Sequence, residues 1–143
     1  MQLNSVNDIG TTLATCSPFF DFIQAGGTSA VAEEAVGVLG PGPNQIPIGS
    51  ITIHPSASLA ISGSAFITVN VFKRTNGGSQ TLIGTLTTFT GGTALTAFVA
   101  AQMTLQAGAG SFLTPGDTIT MAVTNTGSAV MPAFVIGGFV RTF

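Results

Sequence analysis

AFITVNVFKRTNGGSQTLIGTLTTF, residues 65–89, decides how the rest of the chain is read. Ile67, Val69 and Val71 alternate with Phe66, Thr68, Asn70 and Phe72. Side chains alternate across an extended strand, so the first set is expected to face a core and the second the opposite side. Residues 75–79 then form a loop, Gly77 and Gly78 being free to take positive φ, and TLIGTLTTF returns as the partner strand. The chain has only three Lys and Arg residues, and two of them, Lys73 and Arg74, stand where the outgoing strand leaves the core. Charge at such a position stays hydrated and discourages edge-to-edge pairing.

The same pattern extends in both directions. Upstream, Ile46, Ile48, Ile51 and Ile53 mark a strand that stops at His54-Pro55, followed by a connection of mixed polarity over residues 56–62. Downstream, Pro115 and Gly116 fit the two central positions of a type II turn ending at Asp117, whose oxygens are placed to accept local backbone bonds. Ile119, Met121 and Val123 then point inward, a second turn follows at residues 125–127, and a last strand runs over 130–140. Gly137 and Gly138 predict a bulge or a close backbone approach in that strand. Residues 94–105 mix helix-forming Ala, Leu and Met with strand neighbours and are read as a strand preceded by a loop. Short alternating strands separated by turns roughly every ten positions predict an all-β antiparallel sandwich.

Residues 1–29 hold no long alternation but gather Phe19, Phe20, Phe22 and Ile23 between a proline and a glycine pair. Two readings stand: an outer strand of the same sandwich, or an N-terminal arm that grips another subunit through strand addition and aromatic packing. The expected division is an arm over 1–29, removable without unfolding the rest, and a sandwich over 30–143. Within the latter, EEAVGVLGPGP reads as a short strand running into a proline-glycine loop.

Composition narrows the class. Only 6% of residues are charged and the net charge is −2, against 45% apolar residues. Disorder calls for the opposite balance, so the chain is expected to fold. So weak a net charge gives little colloidal repulsion and favours association with neighbours. Nucleic acid is not an expected partner, because phosphate binding draws on clustered Lys and Arg. No run of about 18 apolar residues is present to span a bilayer as a helix. A membrane barrel would want girdles of Tyr and Trp, of which the chain has none. The N-terminus has no basic and then continuously apolar signal, so the chain is expected to be unprocessed. Cys16 is the single cysteine, which leaves no disulfide within the chain.

The ingredients for catalysis are few. Cys16 and His54 would have to meet with an orienting partner, and no three or four Cys, His or carboxylate ligands cluster for a metal. Glu33 and Glu34 are adjacent, so on a strand they face opposite ways and read as hydrated surface charge. The glycines of GVLGPG lack the Lys-Ser/Thr ending of a phosphate loop. No enzymatic activity, cofactor or metal is expected.

IGSITIHPSASL, ITVNVFKRTNGGSQTLIGTLTT and LTPGDTITMAVTNTGSAVMPAFVIGGFV occur in an order that resembles the jelly-roll decoration, or cement, proteins of tailed-bacteriophage heads. The matching positions are Phe72, Lys73, Arg74, Gly77, Gly78, Gly116, Asp117, Ile119 and Pro132, and the likeness covers residues 46 to 143. The resemblance implies a jelly-roll sandwich that forms a homotrimer on the outer surface of the virion, where it bridges major capsid protein subunits. Such a protein is made in the host cytoplasm. On this reading Lys73, Arg74 and Arg141 are contact charges toward acidic capsid residues. The absence of Tyr and Trp departs from the pattern and speaks against a glycan-binding role. The same turn patterns recur in trimeric fibre heads, so a receptor-binding domain stays open as an alternative, as does a jelly-roll coat protein.

Overall fold

The computed structural model describes residues 15–38, 46–108 and 112–142. Ten strands account for the regular structure: β1 (Thr15–Gln24), β2 (Val31–Val38), β3 (Ile46–Pro55), β4 (Phe66–Thr75), β5 (Gln80–Thr87), β6 (Ala101–Gln102), β7 (Thr104–Leu105), β8 (Phe112–Leu113), β9 (Asp117–Thr126) and β10 (Phe134–Thr142). They pair into two antiparallel sheets. One has the order β1-β10-β3-β6, with β8 also on β3, and the other has the order β2-β9-β4-β5-β7. The chain passes back and forth between the sheets, and β1 and β10 lie side by side. That crossover pattern is the double Greek key of a jelly roll, so the all-β antiparallel sandwich expected from the sequence is the observed fold.

Period-2 alternation builds the core. Ile67, Val69 and Val71 of β4, Ile119, Met121 and Val123 of β9, and Ile51 and Ile53 of β3 are all buried, as is Ile136 of β10. They form one cluster with Ile83, Leu86 and Met103, filling the space between the two inner faces. Each fully buried aliphatic side chain of this kind stabilises the fold by about 1.5–3 kcal/mol.

The turn between β4 and β5 is set by Asn76 and Gly77 rather than by the glycine pair, since Gly78 does not take positive φ. Asn76 and Gly77 have φ of 51° and 71°, and the Gly78 N–H donates to the Thr75 carbonyl at 2.9 Å. Two consecutive positive φ values define a type I′ turn, whose twist matches that of the flanking strands. The Pro115-Gly116 turn is type II as expected, with φ of 84° at Gly116 and the Asp117 N–H donating to the Thr114 carbonyl at 3.0 Å.

Three expectations change. Residues 15–24, assigned to an arm, form β1 and pair with β10 from Thr15–Thr142 to Gln24–Phe134, with an irregularity between Pro18 and Phe20. Of the two readings of this segment, the outer strand is therefore the one observed there, and the sandwich begins well before residue 30. Residues 1–14 lie outside the described residues, as does the proline-glycine loop at 39–45. Residues 94–105 are not one strand but a loop with two short strands, β6 on β3 and β7 on β5. Met103 between them is buried, and its N–H donates to the Ile51 carbonyl at 2.9 Å. Here the chain steps from one sheet to the other, and the strand is broken at Met103. The last strand begins at Phe134 rather than 130, because Pro132 has no N–H to give a ladder. Its irregularity falls between Phe139 and Val140, beside the glycine pair rather than on it.

Candidate functional site

The two ends of the sandwich differ in chemistry. At the end carrying the β4–β5 turn, the polar residues bond to one another. Glu33 of β2 is the hub: its carboxylate accepts from Arg74 Nε at 2.7 Å and from Arg74 Nη2 at 2.6 Å, and also from Thr120 and Gln80. The third guanidinium nitrogen of Arg74, Nη1, donates to the Gly78 carbonyl at 2.6 Å. The network crosses β2, β9, β4 and β5, fastening the outer face of the sheet to the hairpin turn. The bidentate Arg74 contact and the Thr120 hydroxyl hold the Glu33 pKa down at about 2, from an ordinary 4.5. The same pairing raises the pKa of Arg74.

Lys73, the neighbour of Arg74, projects from the opposite face of the strand, and its ammonium donates to the Phe112 carbonyl at 2.6 Å, linking β4 to β8. Asp117 is fully buried; Thr75 Oγ1 donates to one carboxylate oxygen at 2.6 Å and the Thr114 N–H to the other at 2.7 Å. Burial alone would push its pKa up, but these donors and the nearby Lys73 charge outweigh it and leave the pKa below the ordinary value. Asp117 thus does the turn-capping work expected of it. Lys73 and Arg74, expected to be contact charges, make bonds within the chain, and Glu33 is a structural hub rather than a hydrated surface charge. The side chains of Phe19, Phe20 and Arg141 lie outside the described residues.

The opposite end is apolar. Where β1, β3 and β10 reach Gln24, Pro55 and Phe134, a cleft of about 390 Å³ opens between Ile23, His54, Pro55, Val135 and the loop residue Phe98. None of its lining residues is Asp, Glu, Lys or Arg. Phe22 and Ile23 divide as alternation requires: Phe22 packs on the core, whereas Ile23 is 76% exposed at the mouth of the cleft. Phe98 is 82% exposed and has φ of 60°, with its N–H donating to the Pro55 carbonyl at 2.8 Å. A bulky residue in the left-handed region is strained by about 1–3 kcal/mol, and such strain concentrates at functional positions. Val99 beside it is also exposed.

Reading the sequence singled out Ile23 but not Phe98, His54 or Val135 as its neighbours. The Phe-Val pair in ALTAFVAAQ lies within residues 94–105, and nothing local announces a positive φ at a phenylalanine. Among the described residues, no group of three or more His, Cys, Asp or Glu is placed to hold a metal ion. No described helix is long and apolar enough to cross a membrane. Comparison with protein-family models, with curated proteins and with solved structures finds no match to the chain.

Proposed function

We propose that the chain is a structural virion protein, a decoration or cement protein that self-associates and bridges major capsid subunits on the outside of a bacteriophage head. The observation that carries this reading is a jelly-roll body of very low charge that leaves a largely apolar cleft, edged by exposed Phe98 and Ile23, open to solvent. Exposed apolar surface of this kind marks places where soluble proteins meet partners. Low charge suits a molecule held in a lattice, where each contact is reinforced by many others and strong repulsion is not needed for dispersal. The resemblance of Phe72, Lys73, Arg74, Gly77, Gly78, Gly116, Asp117, Ile119 and Pro132 to the cement-protein pattern supports the same reading. In it, the Arg74–Glu33 network and the Asp117 turn keep one end of the sandwich rigid while the other end makes contacts.

The test is cosedimentation with undecorated phage heads, followed by electron microscopy of the pelleted particles. Saturable binding and added density at threefold or quasi-threefold positions are expected. A chain that stays in the supernatant at every concentration removes the capsid role.

A further inference from the structure

We infer that Asn76, in the turn between β4 and β5, is a site of spontaneous covalent modification, where the folded protein loses the side-chain amide and gains aspartate and isoaspartate. The Arg74–Glu33 network sets the rate by holding the turn closed. This inference stands apart from the capsid reading.

Three observations single out this residue. First, Asn76 is the only asparagine of the chain followed by glycine. A side chain on the following residue hinders approach of the backbone nitrogen to the asparagine amide carbon, and glycine has none. Second, Asn76 and Gly77 are exposed, and a Cβ placed on Gly77 would meet nothing within 4 Å. Third, the nucleophile is open: the turn ties down the Gly78 N–H, which donates to the Thr75 carbonyl at 2.9 Å, and among the described residues nothing accepts from the Gly77 N–H. The asparagines within strands are placed otherwise. Asn70 accepts from Thr85 Oγ1 at 2.8 Å, and Asn125 Nδ2 donates to the Thr28 and Ala129 carbonyls at 3.0 and 2.9 Å. Both lie in the β4–β9 ladder and are followed by β-branched Val71 and Thr126.

The Gly77 nitrogen gives up its proton to hydroxide and attacks Asn76 Cγ. The N–Cγ bond forms, the Cγ–Nδ2 bond breaks, and the leaving nitrogen takes a proton from water and departs as ammonia. Water then opens the five-membered ring. Cleavage of the N–Cγ bond gives aspartate; cleavage of the bond to the backbone carbonyl gives isoaspartate, with the main chain rerouted through the side chain. Nothing is oxidised or reduced, and water is the sole co-reactant.

Ring closure turns the Asn76–Gly77 peptide out of the type I′ arrangement, so the reaction proceeds from the opened turn. Arg74 opposes that opening: its Nη1 donates to the Gly78 carbonyl at 2.6 Å while Glu33 grips its other two nitrogens. The products differ in consequence. Aspartate keeps the turn, since Asp-Gly also suits type I′. Isoaspartate adds a backbone carbon to the turn and breaks the Arg74–Gln80 register and the Arg74–Gly78 bond.

The test incubates the full chain at mildly alkaline pH for several weeks, as wild type, Arg74→Ala, Glu33→Gln, Asn76→Gly and Asn76→Asp. Chymotrypsin, cutting after Phe72 and Leu82, releases the peptide 73–82 for mass measurement, and isoaspartyl methyltransferase labels isoaspartate. In wild type this peptide is expected to gain about 1 Da before any peptide holding Asn70 or Asn125 does, and to take the label. Arg74→Ala should react about 5-fold faster, the scale of one exposed charge-assisted bond lost from the closed turn, with Glu33→Gln between the two. Asn76→Gly should show neither change in this peptide. Aged wild type should lose thermal stability while fresh Asn76→Asp keeps it. The inference is overturned if Asn70 or Asn125 reacts first, if the mass gain appears without isoaspartate, or if Glu33→Gln and Arg74→Ala react no faster than wild type. Should Arg74→Ala not fold, wild type and Glu33→Gln still decide.

Discussion

Replacing Phe22 by alanine asks whether residues 15–24 are an integral strand or a detachable arm, and its neighbour Ile23 supplies the control. Phe22 sits opposite Ile136 in the β1–β10 ladder and packs on the core, but it is only partly buried. A fully buried Phe→Ala change costs about 3–5 kcal/mol, so the partial burial here corresponds to about 2 kcal/mol. With a urea m-value of about 2 kcal/mol/M for a domain of this size, the unfolding midpoint should fall by about 1 M. Ile23→Ala removes a side chain that is 76% exposed and should change stability by no more than about 0.5 kcal/mol. Urea denaturation followed by circular dichroism, at a concentration where protomers are separate, reads both. A strand makes adjacent residues behave oppositely, because their side chains leave on opposite faces. An unchanged midpoint for Phe22→Ala, or equal shifts in the two variants, would refute the assignment of β1 to the sandwich.

Two further outcomes follow from the polar end. Glu33 has a folded pKa of about 2 against an ordinary 4.5, so its contribution is fully present above pH 4.5 and fades as pH falls toward 2. The stability difference between wild type and Glu33→Gln should therefore be constant above pH 4.5 and shrink below it; a gap that keeps its size down to pH 2 would exclude the Arg74–Glu33 pairing. Asp117→Ala leaves the Thr75 hydroxyl and the Thr114 N–H without their carboxylate acceptor; both bonds are part-buried, and a hydrogen bond to a charged group contributes about 1.5–3 kcal/mol. Thermal unfolding of that variant should show a clear loss, and a midpoint within a degree of wild type would contradict the described turn.

The local features of this protein were legible because short-range physics sets them. Alternation at Ile67, Val69 and Val71 and at Ile119, Met121 and Val123 predicts which side chains enter the core, since the pleat gives them no other common face. Asn76-Gly77 and Pro115-Gly116 likewise dictate their turns through the φ values those residues tolerate. What the tertiary structure alone decided is which distant segments meet. Glu33 and Arg74 are 41 positions apart, and nothing in either segment says that β2 and β4 flank the same β9. Residues 15–24 carry no clean alternation, so only the free side of β10 makes them a strand. Ile23, His54, Phe98 and Val135 come from four separate parts of the chain, and Phe98 takes its left-handed backbone from a tertiary hydrogen bond to Pro55. Propensity and periodicity act over a few residues, whereas neighbourhood in a jelly roll depends on how the whole chain crosses between its sheets.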